Sequence, residues 1–212
     1  HSGVTFASNS VDLFIEGRPN ALPEEGTGEA VPTALATGVA AALSTTNCTS
    51  TRASAISTAI SSATTYASNA TSYLTNTTPG NTARYKTWFG SYTSTGWSTA
   101  RTHFTNIRNA FQTQNVVVDC SCTDTGTYAY VYPTQPYKIY VCGAFWSAPN
   151  TGTDSRAGTL VHEMSHFNVV ASTDDWAYGQ TAAKNLAISN PTRALDNADS
   201  HEYFAENNPF LN

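Results

Sequence analysis

The sequence predicts an α+β domain in which helices surround one small, mostly antiparallel sheet. Two stretches with apolar residues at helical spacing, residues 53–74 and 97–111, come first. Short strand candidates follow between residues 116 and 142, and helical stretches resume after residue 155. Helices on both sides of a single cluster of strands are typical of this fold class.

The early helices are predicted from the spacing of their apolar residues. Residues 53–74 are rich in Ala, Ser and Thr, and Ile56 begins a thin apolar stripe along them. Residues 85–89 are expected to form a turn or a short helix. Residues 97–111 are predicted to form the second long helix, in which Phe104 is followed by apolar residues three and seven positions later.

The strands are predicted at residues 116–118, 128–132 and 137–142, which are rich in Val and Tyr. The last two are joined by Pro133-Thr134-Gln135-Pro136, which suits a hairpin turn. Four helices are then expected along the remainder of the chain, over residues 155–168, 175–189, 191–197 and 199–206.

The first 45 residues differ from the rest of the chain. Residues 11–15 read as a strand, and residues 21–44 have the composition of a linker or an extended strap. They are either the tail of a pro-region or an ordinary N-terminal strand, and composition does not separate the two. We divide the chain into a pro-region remnant or strap, 1–45, and a catalytic domain, 46–212.

The composition indicates a secreted protein. Only 12% of the residues are charged, the formal net charge is −5, and no Lys/Arg cluster is present, which argues against a nucleic-acid partner. Four cysteines favour two disulfides, and residues two apart in a strand, such as Cys120 and Cys122, rarely bridge each other, so Cys48 should pair with a later cysteine. Sequons begin at three asparagines: Asn47, Asn69 and Asn76. No stretch is apolar enough to span a membrane, and no signal peptide begins at His1.

The segment His162-Glu163-Met164-Ser165-His166 carries the chemistry. Residues four apart lie on one face of a helix, so both imidazoles can reach one metal ion. Glu163 lies on the flank of this pair, where it can accept a proton from a metal-bound water. Two histidines and a carboxylate in this spacing predict a catalytic zinc ion, one per chain.

Zinc needs a third protein ligand. A third histidine six residues after His166 is excluded, because Ser172 stands there. A glutamate on a later helix is possible, and Glu202 and Glu206 qualify by position. An aspartate nine residues after the second histidine is the other possibility, and Asp175 stands there.

A resemblance to a known family bears on this choice. The histidine motif followed by Thr173-Asp174-Asp175-Trp176-Ala177-Tyr178-Gly179 resembles the aspzincin signature of the deuterolysins and peptidyl-Lys metalloendopeptidases, although Ser172 replaces its first glycine. The similarity extends over about residues 47–212 and includes the tail from Asn197 to Pro209. It is strongest to the fungal peptidyl-Lys enzymes, which have a zincin-like fold.

The resemblance implies roles for individual residues. Asp175 would be the third zinc ligand, and Tyr178 would donate a hydrogen bond to the developing oxyanion. If residues 175–189 are helical, Tyr178 lies on the same face as Asp175. Disulfides Cys48–Cys120 and Cys122–Cys142 are implied, as is a mature chain that begins near residue 45 or 46.

Asp199 and Glu202 are three residues apart on a predicted helix. From the sequence alone such a pair is an ordinary solvated face, whereas the resemblance implies that both carboxylates bind a substrate lysine. A compact ammonium suits two point charges. His201 between them is expected to be a surface or packing residue.

These observations predict a secreted, monomeric zinc endopeptidase that cuts protein or peptide substrates on the N-terminal side of lysine by a zinc-activated water. Lysine would enter the first primed pocket. A deuterolysin-type protease of broad specificity is the alternative, and Glu202 argues against it. An inactive secreted binding module is a third hypothesis, which Glu163 and Tyr178 disfavour because a degraded site needs neither.

Overall fold

A computed structural model describes residues 31–34 and 42–212, and these residues form one α+β arrangement. The strands are β1 Val31–Ala34, β2 Ala42–Thr46, β3 Val116–Asp119, β4 Ala129–Val131 and β5 Lys138–Val141. The helices are α1 Ser50–Asn76, α2 Ala83–Phe89, α3 Ser94–Thr113, α4 Gly143–Ser147, α5 Arg156–His166, α6 Gln180–Ser189, α7 Pro191–Ala194 and α8 Ala198–Glu206.

The predicted α+β class is confirmed, and the sheet within it is mixed rather than mostly antiparallel. Its order is β1-β2-β3-β5-β4, and the two outer pairs, β1–β2 and β4–β5, are antiparallel. The two inner pairs, β2–β3 and β3–β5, are parallel. Parallel neighbours need a long crossover. Helices α1, α2 and α3 supply it between β2 and β3.

The N-terminal segment contributes to this sheet. Residues 31–34 and 42–44, which have the composition of a linker or an extended strap, lie in β1 and β2. Strand β2 crosses the boundary predicted at residues 45 and 46, and Leu43 within it is buried in the core. The strand predicted at residues 11–15 lies outside the described residues. The division into a pro-region and a catalytic domain stays a prediction.

Helix α1 is the long helix against which α3, α5 and α8 pack. Thr49 caps its N-terminus by accepting a hydrogen bond from the Arg52 backbone N–H. Its buried stripe is made largely of small residues, among them Ala59, Ala63 and Ala67. Small side chains let α3 and the later helix α5 approach its backbone closely, and both pack against it.

Helix α8 packs on the core through its buried aromatic side chains. Phe204 on α8 stacks on Phe104 of α3 with ring centroids 5.1 Å apart, and it packs on Phe89 of α2 at the same separation. Aromatic pairs at this distance stabilise a core beyond the area that they bury. The inner face of α8 is thereby fixed relative to the long helices.

Two disulfides join neighbouring parts of the sheet. Cys48 pairs with Cys120, which links the end of β2 to the end of β3, and Cys122 pairs with Cys142. These are the pairings that the resemblance implied. The three sequon asparagines are all exposed. Within the described ranges, no helix has both the length and the apolarity that a membrane crossing requires.

Candidate metal centre and active site

Helix α5 carries the histidine motif and is buried on nearly every side. Leu160, Val161 and Met164 are fully buried and anchor it in the core. Ser155 caps its N-terminus, where the hydroxyl accepts from the Gly158 backbone N–H at 2.9 Å. Glu206 on α8 positions this capping residue, because the Ser155 backbone N–H and hydroxyl both donate to Glu206 Oε1 at 2.8 Å.

His162, His166 and Asp175 converge on one point. The Asp175 Oδ1 atom lies 3.2 Å from His162 Nε2 and 3.4 Å from His166 Nε2. Ligand atoms at the corners of a tetrahedral zinc site with bonds of about 2.0–2.1 Å are about 3.3–3.4 Å apart. The Asp175 Oδ1 atom is buried and accepts no hydrogen bond from any described residue. The donor set and its spacing therefore fit a zinc ion.

A left-handed turn brings Asp175 back to the helix. Helix α5 ends at His166, and the Ser172 backbone N–H returns to the Phe167 carbonyl at 3.1 Å. Ser172 has a φ of 54°, a conformation that favours glycine. This explains the glycine of the family signature at this position. After the turn, the Thr173 backbone N–H donates to the Ser165 carbonyl at 3.2 Å.

The segment that bears Asp175 is a loop, so the helix predicted over residues 175–189 was wrong before Gln180. The buried Asn197 side chain explains the difference. Its Oδ1 atom accepts from the backbone N–H groups of Trp176 at 2.9 Å and Ala177 at 3.0 Å. Gly179 then turns the chain with a φ of 82°, and α6 begins.

The Nδ1 atom of each of the two histidines, His162 and His166, also has a hydrogen-bond partner. The Thr173 carbonyl lies 2.7 Å from His166 Nδ1, and Asp199 Oδ1 lies 2.7 Å from His162 Nδ1. Carbonyl and carboxylate oxygens only accept here, so both Nδ1 atoms carry the proton and both Nε2 atoms present a lone pair to the metal point. Such partners fix ring orientation and tautomer.

Thr173 and Asn197 are functional residues that sequence reasoning missed, although both lie within the segments that carry the resemblance. Their contribution is to hold other groups, and spacing along the chain gives no sign of it. Glu206 is one of the two glutamates that qualify by position as the third metal ligand. The structure instead places it at the N-terminus of α5, where its Oε2 atom also accepts from the Asp154 backbone N–H at 3.2 Å.

Asp199 and Glu202 lie behind His162 rather than on a solvated face, and they are only 5% and 6% exposed. The Glu202 Oε2 atom is 3.3 Å from His162 Nδ1, and the Asp199 Oδ2 atom accepts from the Gly179 backbone N–H at 2.6 Å. With His162 they form a second group of potential ligands. This group uses the nitrogen of His162 that faces away from Asp175.

Glu163 and Tyr178 complete the surroundings of the metal point. Glu163 is buried on α5. Tyr178 leaves the loop 45% exposed, and its ring lies nearly parallel to the His162 ring with centroids 6.3 Å apart. Tyr178 therefore reaches the site from the loop and not from a shared helix face.

The site is strongly acidic for a buried region. Burial raises the pKa of Glu163, and the partial burial of Tyr178 together with nearby carboxylates, Asp175 foremost, raises the pKa of Tyr178. Burial acts to lower the pKa of His162, but Asp175, Asp199 and Glu202 outweigh it and raise that pKa well above its usual value. Burial acts to raise the pKa of Asp175, and the two imidazoles outweigh it and lower it. Such a site attracts a cation.

A second histidine pair joins α3 to α8, and its members are the half-buried His103 and the buried His201. His201 is fully buried, as the packing interpretation expected, and its Nδ1 atom donates to the Asn197 carbonyl at 2.8 Å. Its Nε2 atom therefore accepts from His103 Nδ1 at 2.9 Å. Burial lowers the pKa of His103 to about 4 and that of His201 to about 3. Both rings are neutral near pH 7.

Comparison with known proteins identifies the family. The aspzincin M35 model, described as lysine-specific metallo-endopeptidase, matches residues 73–206. An extracellular protease of Aeromonas hydrophila is 48% identical over 97% of this chain and 58% of its own length. A peptidyl-Lys metalloendopeptidase of Armillaria mellea is 57% identical over 61% of this chain and 36% of its own. This chain thus spans 58% of the length of the first relative and 36% of the length of the second.

A solved structure has the same fold. A zinc peptidase from Grifola frondosa superposes with a TM-score of 0.75 and is 52% identical, over 78% of this chain and all of that one. The family match covers more than half of the present chain and includes α5, the Asp175 loop and α8. The chain therefore belongs to the aspzincin M35 family of metallo-endopeptidases.

Proposed function

We propose that this chain is a secreted zinc endopeptidase that hydrolyses peptide bonds on the N-terminal side of lysine. His162, His166 and Asp175 bind one zinc ion per chain. The observation that carries the proposal is their convergence, with distances of 3.2 and 3.4 Å between the two Nε2 atoms and Asp175 Oδ1. A buried carboxylate, Glu163, lies beside them.

The residues around the metal point supply the acid–base chemistry. When bound, zinc brings the pKa of a coordinated water to about 7 and polarises the scissile carbonyl. The Glu163 carboxylate accepts a proton from the attacking water and returns it to the leaving amine. The Tyr178 hydroxyl donates a hydrogen bond to the oxygen of the tetrahedral intermediate, where negative charge develops.

Preference for lysine is supported by the charge behind His162. Asp199 and Glu202 are buried behind His162, and a substrate ammonium that approaches them meets negative charge on α8. A compact ammonium on a flexible stem suits such a site better than a planar guanidinium. The family description and the name of the Armillaria mellea relative also refer to lysine.

Secretion is supported by two disulfides, because such bonds persist in oxidising compartments. The Aeromonas hydrophila relative is named an extracellular protease. The expected partners are lysine-containing proteins or peptides, and a monomer suffices because all of the proposed site residues come from one chain.

Sequencing of the peptides released from a lysine-rich protein tests the proposal. A strong chelator should abolish cleavage and added zinc should restore it, because ligands from one folded site release metal to a competitor. Asp175→Ala should lose most zinc by metal analysis. Glu163→Gln is the matched control, because it should keep zinc and fold while losing turnover.

Two results would contradict the proposal. One is an Asp175→Ala protein that retains one zinc per chain. The other is a wild-type enzyme whose cleavage sites show no excess of lysine on the C-terminal side of the cut bond. The first result would remove the ligand assignment, and the second would leave a zinc protease of broad specificity.

A further inference from the structure

Helix α5 lacks one of the two residues that make up a complete N-terminal cap. In a capping box, the N-cap hydroxyl accepts from the backbone N–H three residues later, and a Glu or Gln at that third position accepts from the backbone N–H of the N-cap residue. Ser155 is the N-cap residue of α5, and its hydroxyl accepts from the Gly158 backbone N–H. The third position is thus a glycine, which has no side chain to make the second bond.

Glu206 of α8 supplies the missing carboxylate. Its Oε1 atom accepts from the Ser155 backbone N–H at 2.8 Å, which is the bond that a glutamate of α5 itself would make in a capping box. Its Oε2 atom accepts from the Asp154 backbone N–H at 3.2 Å. The positive end of the helix dipole also favours a carboxylate here. The cap of the helix that bears the histidines is therefore completed from another helix.

The space at Gly158 is occupied by this carboxylate. A Cβ atom added at Gly158 would lie 2.7 Å from Cδ of Glu206 and closer still to Oε1. Alanine is normally the better helix former. Glycine is favoured here because the Glu206 carboxylate takes the place of a side chain at this position.

The Ser155–Glu206 contact and the His162–Asp199 contact are two helical turns apart on both helices. Seven residues separate Ser155 from His162 on α5, and seven separate Asp199 from Glu206 on α8. The two helices run antiparallel, since the residue numbers of the partners rise along α5 and fall along α8. A shift by one residue moves a helix about 1.5 Å along its axis, and it would break both contacts. Both contacts therefore require the same register of α5 against α8.

We propose that Glu206 is a positioning residue for the metal centre: it completes the cap of α5 from α8 and thereby sets the register in which His162 meets Asp199. Asp199 in turn orients the His162 Nε2 atom toward the metal point. Glu206 acts through these groups and touches neither the metal nor the substrate. This assignment rests on the proposed zinc site and does not depend on the preference for lysine.

A local glutamate separates this role from simple stabilisation of α5. In the full chain, Glu206→Ala removes the carboxylate from α8. The double variant Glu206→Ala/Gly158→Glu restores a capping box within α5 but leaves out the link to α8.

Three quantities are measured for each variant. They are the urea midpoint of the metal-free protein, the zinc dissociation constant by competition with a chromophoric chelator, and the visible absorption spectrum of the Co²⁺-substituted protein. Burial raises the pKa of Glu206 to about 7. All measurements are therefore made at roughly pH 8.5, where a carboxyl group with such a pKa is ionised.

Glu206→Ala should lower the urea midpoint, change the cobalt spectrum and weaken zinc binding by about tenfold, the lower end of the usual effect of losing an outer partner of a metal site. The double variant should regain urea midpoint but neither zinc affinity nor the wild-type spectrum. Glu206→Gln keeps an acceptor oxygen for Ser155, so its zinc affinity should stay within about threefold of wild type.

Thr93→Ala is the control for the loss of a helix cap elsewhere. The Thr93 hydroxyl caps α3 by accepting from the Gly96 backbone N–H at 2.9 Å. Its removal should lower the urea midpoint. The zinc affinity and the cobalt spectrum of this variant should match those of the wild type.

Either of two results overturns the assignment. One is a Glu206→Ala protein with the zinc affinity and the cobalt spectrum of the wild type. The other is a double variant in which the local cap restores all three quantities, because Glu206 would then be a helix cap alone. If Glu206→Ala does not fold, Gly158→Ala gives the test, since its Cβ atom displaces the carboxylate, and wild-type zinc binding there also overturns the assignment.

The failure of the proposed function gives a different result. A wild-type protein that binds no zinc contradicts the proposed function and this assignment together. Variants that bind zinc as the wild type does contradict this assignment alone.

Discussion

Replacing Ser172 by glycine should stabilise the protein. Ser172 has a φ of 54° at the turn that leads from α5 to the Asp175 loop. A residue with a Cβ atom pays about 1–2 kcal/mol for this conformation. Glycine avoids that cost but loses roughly 0.5–1 kcal/mol more backbone entropy on folding. The Ser172 hydroxyl makes only one long, exposed bond, to Asn168 at 3.3 Å.

The expected net gain is about 0.5–1 kcal/mol, which corresponds to about 1–4 °C in Tm for a domain of this size. Urea unfolding of the zinc-loaded protein measures it. Ser172→Ala is the matched control, because it removes the hydroxyl and keeps the strained Cβ, so it should be no more stable than wild type. Gly179→Ala is the reverse control.

Gly179 has a φ of 82°, and an added Cβ atom there meets no atom within 4 Å. Its ψ of 156° places it in a region that is essentially restricted to glycine, so its loss of stability should report the backbone conformation alone, at about 1–3 kcal/mol. If Ser172→Gly is less stable than wild type, or no more stable than Ser172→Ala, the turn does not carry the strain that its φ indicates.

Two further predictions concern turnover and acid stability. Tyr178→Phe should lower kcat by about 10²–10³ without changing zinc content, and a wild-type kcat would remove Tyr178 from the mechanism. The folded-state pKa values of His103 and His201, about 4 and 3, lie below the unfolded value of about 6.5. Their neutral, buried state is therefore fully favourable above pH 6.5, and the free energy of unfolding should decline as the pH falls toward 4. The part due to His103 is on the order of 3 kcal/mol. His103→Gln keeps a donor to His201 but cannot titrate, so its unfolding free energy should depend less steeply on pH between 6.5 and 4.5. Equal slopes for the two proteins would contradict this.

Local periodicity determined much of what the sequence predicted. The positions of His162, Glu163 and His166 relative to one another follow from one helical repeat, which no distant contact needs to define. The helix that bears them was expected at residues 155–168 and lies at Arg156–His166. The disulfide pairing came from the resemblance, since spacing alone left two partners open for Cys48.

Tertiary structure decided what depends on partners that are far apart in sequence. The Asp175 loop reads as a helix by composition. It is not one, because Trp176 and Ala177 donate their backbone N–H groups to Asn197, about 20 residues later. The segment that contains Leu43 has the composition of a linker or a strap. It is a strand because β3 pairs with it in parallel.

The α8 carboxylates show most clearly that spacing along the chain does not identify the partner of a side chain. The spacing of Asp199 and Glu202 places them on one helix face, and a solvated face has the same spacing. Only the packing of α8 against α5 puts both behind His162, and only the distances, 2.7 Å and 3.3 Å, distinguish them. Sequence periodicity fixes the direction in which a side chain points from its own helix or strand. The partner of that side chain depends on how two elements pack against each other. That packing is determined by the buried aromatic and small side chains of the core.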